Sequence, residues 1–340
     1  MKTRRASFDR VVPGHGSGGR LNGDLIEQTI LPALNSDALA PLDDCALLSI
    51  GGGTLAFSTD SFVVCPMVFP GGDIGELAVN GTVNKLAVGG ARPIALSLAF
   101  ILEEGLALTE LERAVASAQA AAKRAGVPIV TGDTKVVSRG AAERMFINTS
   151  GVGTVAPGVV LGSARVRPGD VVLVSGAVGD HGITLLACRE GLALAGDLAS
   201  DTAPLTDLAQ AILAAAPATH AMRDPTRGGI GRAVCEIAAR RRLGIAIDAA
   251  AIPVHEPVRR ACELLGLDPL LLANEGKLLA FVPEHQADAA LAAMRAHPLG
   301  REAARIGRVE ESHPGAVLLR AHGADRVLDL PLIESLPRSC

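Results

Sequence analysis

The chain has 340 residues, enough for two domains with a core each, and 49% of them are hydrophobic. Seven Phe with no Trp or Tyr leave too few aromatics for base-stacking platforms, and a net charge of −4 argues against a nucleic-acid partner. No apolar run reaches the ~18 residues of a membrane helix, and Met1 to Arg10 lacks the apolar centre of a signal peptide, so the reading is cytoplasmic, with no membrane.

Six cysteines (Cys45, Cys65, Cys188, Cys235, Cys262 and Cys340) form no CxxC pair. In a reducing compartment most of them read as small buried hydrophobes rather than a zinc or disulfide framework. In chain order, the basic start (Lys2, Arg4, Arg5, Arg10) reads as a solvated arm. Gly14-His15-Gly16-Ser17-Gly18-Gly19 spells GxGxxG, but only Val11-Val12 precedes it and no clean βαβ unit follows. It has two readings: a mobile linker, or a loop whose N–H groups at Gly16, Gly18 and Gly19 wrap an anion. A helix is expected over 25–34.

Asp43-Asp44 precedes two β patterns, 45–50 and 54–58, joined as a hairpin by Gly51-Gly52-Gly53, and Thr59-Asp60-Ser61 closes the second. Three carboxylates thus flank one hairpin near its two ends. They serve either as turn caps or as holders of Mg²⁺, which favours a few carboxylates plus phosphate oxygens. Pro70-Gly71-Gly72-Asp73 starts a helix over 74–88. Its apolar face is Val79, Val83 and Leu86, while Glu76, Asn80 and Asn84 recur at i, i+4 and i+8 as a polar stripe. The uncharged Asn80 and Asn84 suit a ligand better than solvent, and Lys85 lies about 100° further round.

A buried strand is expected over 94–102. Thr109 and Glu112 spell a capping box for a helix through Arg124 that Gly126 stops. A strand over 127–130 should deliver Thr131-Gly132-Asp133-Thr134-Lys135 at its C-terminal end, where α/β sheets place ligand chemistry. Asp133 is a metal candidate, and Lys135 is either a phosphate contact or a solvated loop charge. Strand material over 145–155 follows, and the domain boundary falls near Gly158.

The second half alternates strands (171–174, 244–247, 278–282, 317–319) with helices (181–190, 205–215, 231–241, 257–265, 286–295), an α/β or α+β layer whose strand order stays open. The glycine-rich loops 176–182 and 224–229 each enter a helix, whose free N–H groups and dipole favour an anion, although many such helix starts bind nothing. Asn274-Glu275-Gly276-Lys277 is the last polar island. His181 is the one histidine near such a loop; the other seven read as surface or structural. In the tail, Leu336-Pro337-Arg338-Ser339-Cys340, Pro337 keeps the chain extended. Cys340 is then either a stray thiol at a frayed end or a nucleophile on a swinging arm.

Nine motifs occur in one order: HGSGG at 15–19, DDCA at 43–46, STDSFVV at 58–64, PGGDIGELAVNGTVN at 70–84, GARP at 90–93, TGDTKVV at 131–137, RDPTRGG at 223–229, NEG at 274–276 and the terminal PRSC. Together they resemble the HypE family of hydrogenase maturation factors, in the AIR synthase (PurM-like) ATPase superfamily. The resemblance implies a two-domain PurM-like fold of the α/β (α+β) class. Residues 1–157 would form a mixed-sheet domain that binds ATP and pairs with its twin in a homodimer, 158–330 an α/β domain, and 331–340 a mobile tail.

The resemblance also implies ATP and Mg²⁺ as cofactors. Asp43, Asp44, Asp60 and Asp133 would hold the metal, and Gly16, Gly18, Gly19, Asn80, Asn84, Gly228 and Gly229 would join them around the nucleotide. Cys340 would accept a carbamoyl group from a HypF-like carbamoyltransferase, ATP-dependent dehydration would make a thiocyanate, and cyanide would pass to iron on a HypC–HypD complex for a [NiFe] hydrogenase. Lys135 would stabilise the moving phosphoryl group and Glu275 would take the amide proton. Two positions depart from the family: Lys85 stands where an acidic residue commonly follows the asparagine, and the tail reads PRSC rather than PRIC. Lys85 leaves a second reading open, a nucleotide-binding carrier or scaffold of the same pathway.

Overall fold

The computed structural model describes residues 10–34, 36, 39, 41–192, 197–321 and 324–332, so Cys340 and the expected arm lie outside the described residues. A helix begins at Arg20 rather than near Leu25, because Gly19 already serves as its N-cap. It continues from α1 (Arg20–Leu25) through a π-helical turn (Ile26–Ile30) into α2 (Leu31–Leu34). Next comes the glycine hairpin. Gly51 and Gly52 take φ of 57° and 84°, the sign that both central residues of a tight two-residue turn need. They join β1 (Ala46–Ile50) to β2 (Gly53–Phe62), with Ile50 opposite Gly53.

After the short pair β3 (Val68–Phe69) and β4 (Gly72–Asp73), α3 runs over Ile74–Val88, started by the Asp73 carboxylate, which accepts from the N–H groups of Gly75 and Glu76. β5 (Ala91–Glu103), α4 (Leu108–Ala125), β6 (Ile129–Val137) and β7 (Met145–Val155) complete the domain. The capping box does not form: Ala107 is the N-cap of α4, with no side-chain bond, while Gly126 does stop the helix at φ 67°. The sheet order is β1-β2-β7-β5-β6, parallel only between β5 and β6.

Alternation along the strands gives this sheet two faces. Met145, Ile147, Leu96 and Leu98 point under α3 and α4 and pack with Leu77, Val83, Ala114 and Ala118. The opposite face is bare among the described residues, and Leu48, Ile50, Phe57 and Ile101 are exposed on it. α3 is covered on nearly all sides, so the stripe of Asn80 and Asn84 is buried rather than wet.

The second sheet is built from β8 (Asp170–Val174), β9 (Ala221–Arg223), β10 (Gly244–Asp248), β11 (Leu279–Pro283), β12 (Ala304–Glu310), β13 (Val317–Ala321) and β14 (Ala324–Val327). Its order is β14-β13-β10-β12-β8-β11-β9, with only β10 and β13 parallel. The helices are α5 (Asp180–Glu190), α6 (Thr206–Ala215), α7 (Gly229–Arg241), α8 (Glu256–Leu265) and α9 (Glu284–Ala296). Val172, Val174 and Phe281 pack with Ile230, Val234 and Ile237 of α7, while Val171, Leu173 and Val282 pack with α6 and α9 on the other side. Truncating Phe281, fully buried between these layers, to Ala should cost about 3–5 kcal/mol. β12 escapes the sequence pattern because its register against β8 shifts between Arg305 and Gly307, which breaks the two-residue period.

Candidate active site between the domains

Ala46 faces Phe57, and β2 runs on to Phe62, so Asp43, Asp44 and Asp60 all gather at the open end of the hairpin rather than at its two ends. Asp60 lies on the helix-covered face. There the Lys85 ammonium, from the last turn of α3, reaches its Oδ2 at 3.3 Å and the Oδ2 of Asp224 at 3.6 Å. Asp224 follows β9, whose Arg223 places Nε 3.0 Å from Asp44 Oδ2 and Nη1 3.6 Å from Asp43 Oδ1. The Arg223–Asp44 contact is an ion pair without an aligned hydrogen bond, since neither atom finds a hydrogen-bond partner. The acids of the first domain thus meet one cation from α3 and one from the second domain.

Burial alone would lower the Lys85 pKa, but the carboxylates of Asp224, Asp60 and Asp44 override it and hold the ammonium charged. Asp224 shifts the other way: burial, and then the charge of Asp44, push its carboxyl well above the usual range. Glu275 is 2% exposed, and its Oε1 has no hydrogen-bond partner. Burial, followed by Asp201, Asp224 and Asp60, lifts its carboxyl well above the ordinary value. Glu275 therefore keeps its proton to higher pH than an ordinary carboxylate, and it must lose that proton before it can serve as the base the resemblance implies. Asp201 stays ionised, accepting from the Glu275 N–H and from Lys277 Nζ, each at 3.0 Å.

Two glycine loops with an anion reading come together here. Arg227 Nη1 donates to Gly16 O at 2.9 Å, and a Cβ on Gly18, at φ 91°, would lie 3.0 Å from both Arg227 and Arg232. At Gly229, φ is 60° and a Cβ would approach the Leu270 and Leu272 carbonyls to 2.5 Å, so only glycine fits. Beside the 224–229 loop lies a polar cavity of about 100 Å³, where Lys85, Arg223, Arg227 and Arg232 line the wall with Asp44, Asp224 and Glu236. It has room for a phosphoryl group. The loop at 176–182 does something else: the Gly179 N–H donates to Asn274 Oδ1 at 2.8 Å, knitting it to the 272–276 segment.

Asn84 is fully committed to the protein. Its amide donates to Ala203 O and Glu275 O, both at 3.0 Å, and accepts from Leu205 N–H at 2.8 Å, which clamps α3 to the second domain. Asn80 donates to Thr202 Oγ1 at 3.2 Å, and its buried Oδ1 has no hydrogen-bond partner.

Asp133 and Lys135 are elsewhere. The segment 131–135 is mid-strand in β6, not a loop at a strand end. Asp60 faces Thr149, the neighbouring Asn148 faces Ala99, and Ala99 faces Asp133, so three strand spacings, ~14 Å, separate Asp133 from Asp60. Alternation also turns Asp133 and Lys135 onto the bare face, where they pair at 2.7 Å with side chains 60% and 68% exposed. The four aspartates expected on Mg²⁺ therefore do not converge within one chain. Among the described residues no group of three or more His, Cys, Asp or Glu gathers as a metal set. Mg²⁺ needs oxygen ligands at ~2.0–2.1 Å in an octahedron. Here Asp43 and Asp44 face Arg223, and Asp60 and Asp224 face Lys85, so these residues do not fit the ion.

Arg223, Asp224, Asp201 and Lys277 join the site beyond the residues the sequence pattern marks. Asp224 has a signal, since it heads the Asp-Pro-Thr-Arg-Gly-Gly loop, whereas Asp201 lies in an irregular segment and has no local signal. His181 is buried, with Nδ1 2.7 Å from Ser200 Oγ and its ring edge-on to Phe69, a structural position. His255 pairs with Asp180 and Glu302. Of the described cysteines, only Cys262 is buried, while Cys65 and Cys188 are exposed. Burial and then Asp44 push Cys45 up to about 12, which makes it inert. A depression of about 1000 Å³ on the second domain holds none of the expected site residues, and Arg305, Arg308 and Arg320 on its wall are paired with Glu284, Glu310 and Asp325.

Residues 42–155 match the family model for the N-terminal domain of AIR synthase related proteins, and residues 167–320 match that for the C-terminal domain. A carbamoyl dehydratase HypE of Azotobacter vinelandii is 50% identical over 341 aligned positions, covering 100% of this chain and 99% of the relative. A solved HypE–HypF complex superposes with a TM-score of 0.86 at 43% identity, covering 90% of this chain and 99% of that one. A solved HypE in complex with ATP gives 0.82 at 47% identity, covering 97% and 100%. Among the described residues no helix is long and apolar enough to cross a membrane. Two matched domains in order, followed nearly end to end by full-length relatives, place this chain in the HypE carbamoyl dehydratase family.

Proposed function

We propose that this protein is an ATP-dependent carbamoyl dehydratase that converts a carbamoyl group on the Cys340 thiol to a thiocyanate, supplying cyanide for the iron of a [NiFe] hydrogenase. The observation that carries this reading is Glu275, a buried acid with a raised carboxyl in the field of Lys85, which together with three arginines lines a cavity with room for a phosphoryl group. The reaction removes the elements of water from S–C(=O)–NH₂ to leave S–C≡N. The amide oxygen is a poor leaving group until ATP phosphorylates it, and it then departs as phosphate. Arg227, Arg232 and the backbone N–H groups of the two loops bind the phosphate charge. Two protons leave the nitrogen. Glu275 takes one after losing its own and the departing phosphate takes the other, so turnover rises with pH as that raised carboxyl ionises.

The bare sheet face supports a homodimer, because Leu48, Ile50, Phe57 and Ile101 expose an apolar patch that a second copy would cover. Lys135 and Asp133 share that face, so Lys135 would reach phosphate charge from a position enclosed only in the dimer. A HypF-like carbamoyltransferase would load Cys340 and a HypC–HypD complex would receive the cyanide, all in the cytoplasm.

Lys85 favours one alternative, a nucleotide-binding carrier without turnover, because it neutralises acids that would otherwise act on the substrate. Full-length protein incubated with a HypF-like enzyme, carbamoyl phosphate and ATP separates the two by mass spectrometry of the tail peptide. Loss of one water from carbamoylated Cys340 is expected; a persistent carbamoyl would identify the carrier.

A further inference from the structure

Lys85 is the one cation that α3 sends into the cleft, and its position is set by the fold rather than by a flexible surface. The helix around it is buried, with Leu86, Ala87 and Val88 in the core, and its Nζ is held 3.3 Å from Asp60 and 3.6 Å from Asp224. Its side chain is 16% exposed. Arg223 answers the remaining acids, Asp43 and Asp44, from the other domain. A divalent ion entering here would find its oxygen ligands already facing two fixed cations.

We propose that the Lys85 ammonium is a tethered replacement for a divalent cation between Asp60 and Asp224, so that the nucleotide-free chain binds no divalent ion at this point. The carboxylates that would ligate a metal instead position an amine, and that amine lines the cavity beside Arg227. A phosphate in the cavity would meet a monovalent charge that cannot dissociate or be chelated. Lys85 is then neither a defect nor a spectator: it supplies positive charge without an octahedral ligand set. The role of that charge rests on the dehydratase reading, whereas its occupancy of the site does not.

Titration of the nucleotide-free full-length protein with Mn²⁺, read by electron paramagnetic resonance of the free ion, tests the occupancy directly. The wild type is expected to leave the Mn²⁺ signal as in buffer. Lys85→Asp, which removes the ammonium and adds a ligand, is expected to take up one Mn²⁺ per chain at least tenfold more tightly. Lys85→Ser serves if the aspartate variant does not fold, with the same direction expected. Stoichiometric Mn²⁺ on the wild type, or substituted chains that bind it no more tightly, would overturn the proposal. Neither ATP nor the tail enters this titration, so a failed dehydration assay leaves it standing, and its own failure leaves the dehydration reading standing.

Discussion

Two lysine–aspartate pairs in the first domain sit in opposite surroundings. Lys135 and Asp133 approach to 2.7 Å on the bare sheet face with most of both side chains in water, whereas Lys85 and Asp60 stand further apart, at 3.3 Å, between the domains. The shorter pair is the weaker one. Solvent screens an exposed pair and leaves both partners hydrated when it breaks. Losing one partner of the buried pair strands a charge in a low-dielectric cleft. Burial rather than distance decides which lysine the fold depends on, and it leaves the exposed one available for a partner or substrate.

The largest expected effect follows from that contrast. Lys85→Met should cost about 3–5 kcal/mol in urea unfolding by leaving Asp60 and Asp224 without their cation. An unchanged midpoint would break the comparison at once. Next, Asn84→Ala strips three hydrogen bonds between α3 and the second domain, two of them buried, and should cost about 1–3 kcal/mol by the same measurement.

Glu275 sharpens the contrast through pH. Its folded-state pKa lies above the unfolded value, so the native chain holds the extra proton and its stabilising contribution is complete below the ordinary carboxylate range. That contribution is lost as pH rises through the raised pKa, at up to about 1.4 kcal/mol per pH unit. Asp224 has the same sign. Unfolding across pH should show a shallower decline in Glu275→Gln than in the wild type; equal slopes would mean that Glu275 is ionised in the fold. The smallest stability effect belongs to Lys135→Ala, which should leave the unfolding midpoint unchanged while lowering dehydration by roughly 10²-fold. A midpoint shift like that of Lys85→Met would erase the distinction between the two lysines.

The sequence pattern locates α3 to the residue, because Pro70-Gly71-Gly72-Asp73 marks its start and the apolar spacing carries through to Val88. It also finds the hairpin, since two glycines at positive φ allow little else. It does not reveal which side of a helix is wet. The Asn80–Asn84 stripe has the spacing of a solvent face, and only the second domain packing over it shows the clamp. Likewise Asp133 and Asp60 are equivalent as letters beside strands, yet strand order and the parity of the pleat put them ~14 Å apart on opposite faces. β9, β12 and β14 are missed because they are short or bulged. The meeting of the 16–19 and 224–229 loops is a tertiary fact with no local signature.

The proposed dehydration requires Glu275, once ionised, to take a proton from a carbamoyl group delivered on the chain's own thiol. The most direct measurement follows the nitrile stretch by infrared spectroscopy, on full-length protein carbamoylated at Cys340, after ATP is added at several pH values. The wild type should develop the thiocyanate band faster as pH rises, and Glu275→Gln should keep its carbamoyl group. Formation of that band in Glu275→Gln at the wild-type rate, or at a rate independent of pH in the wild type, would contradict the assignment.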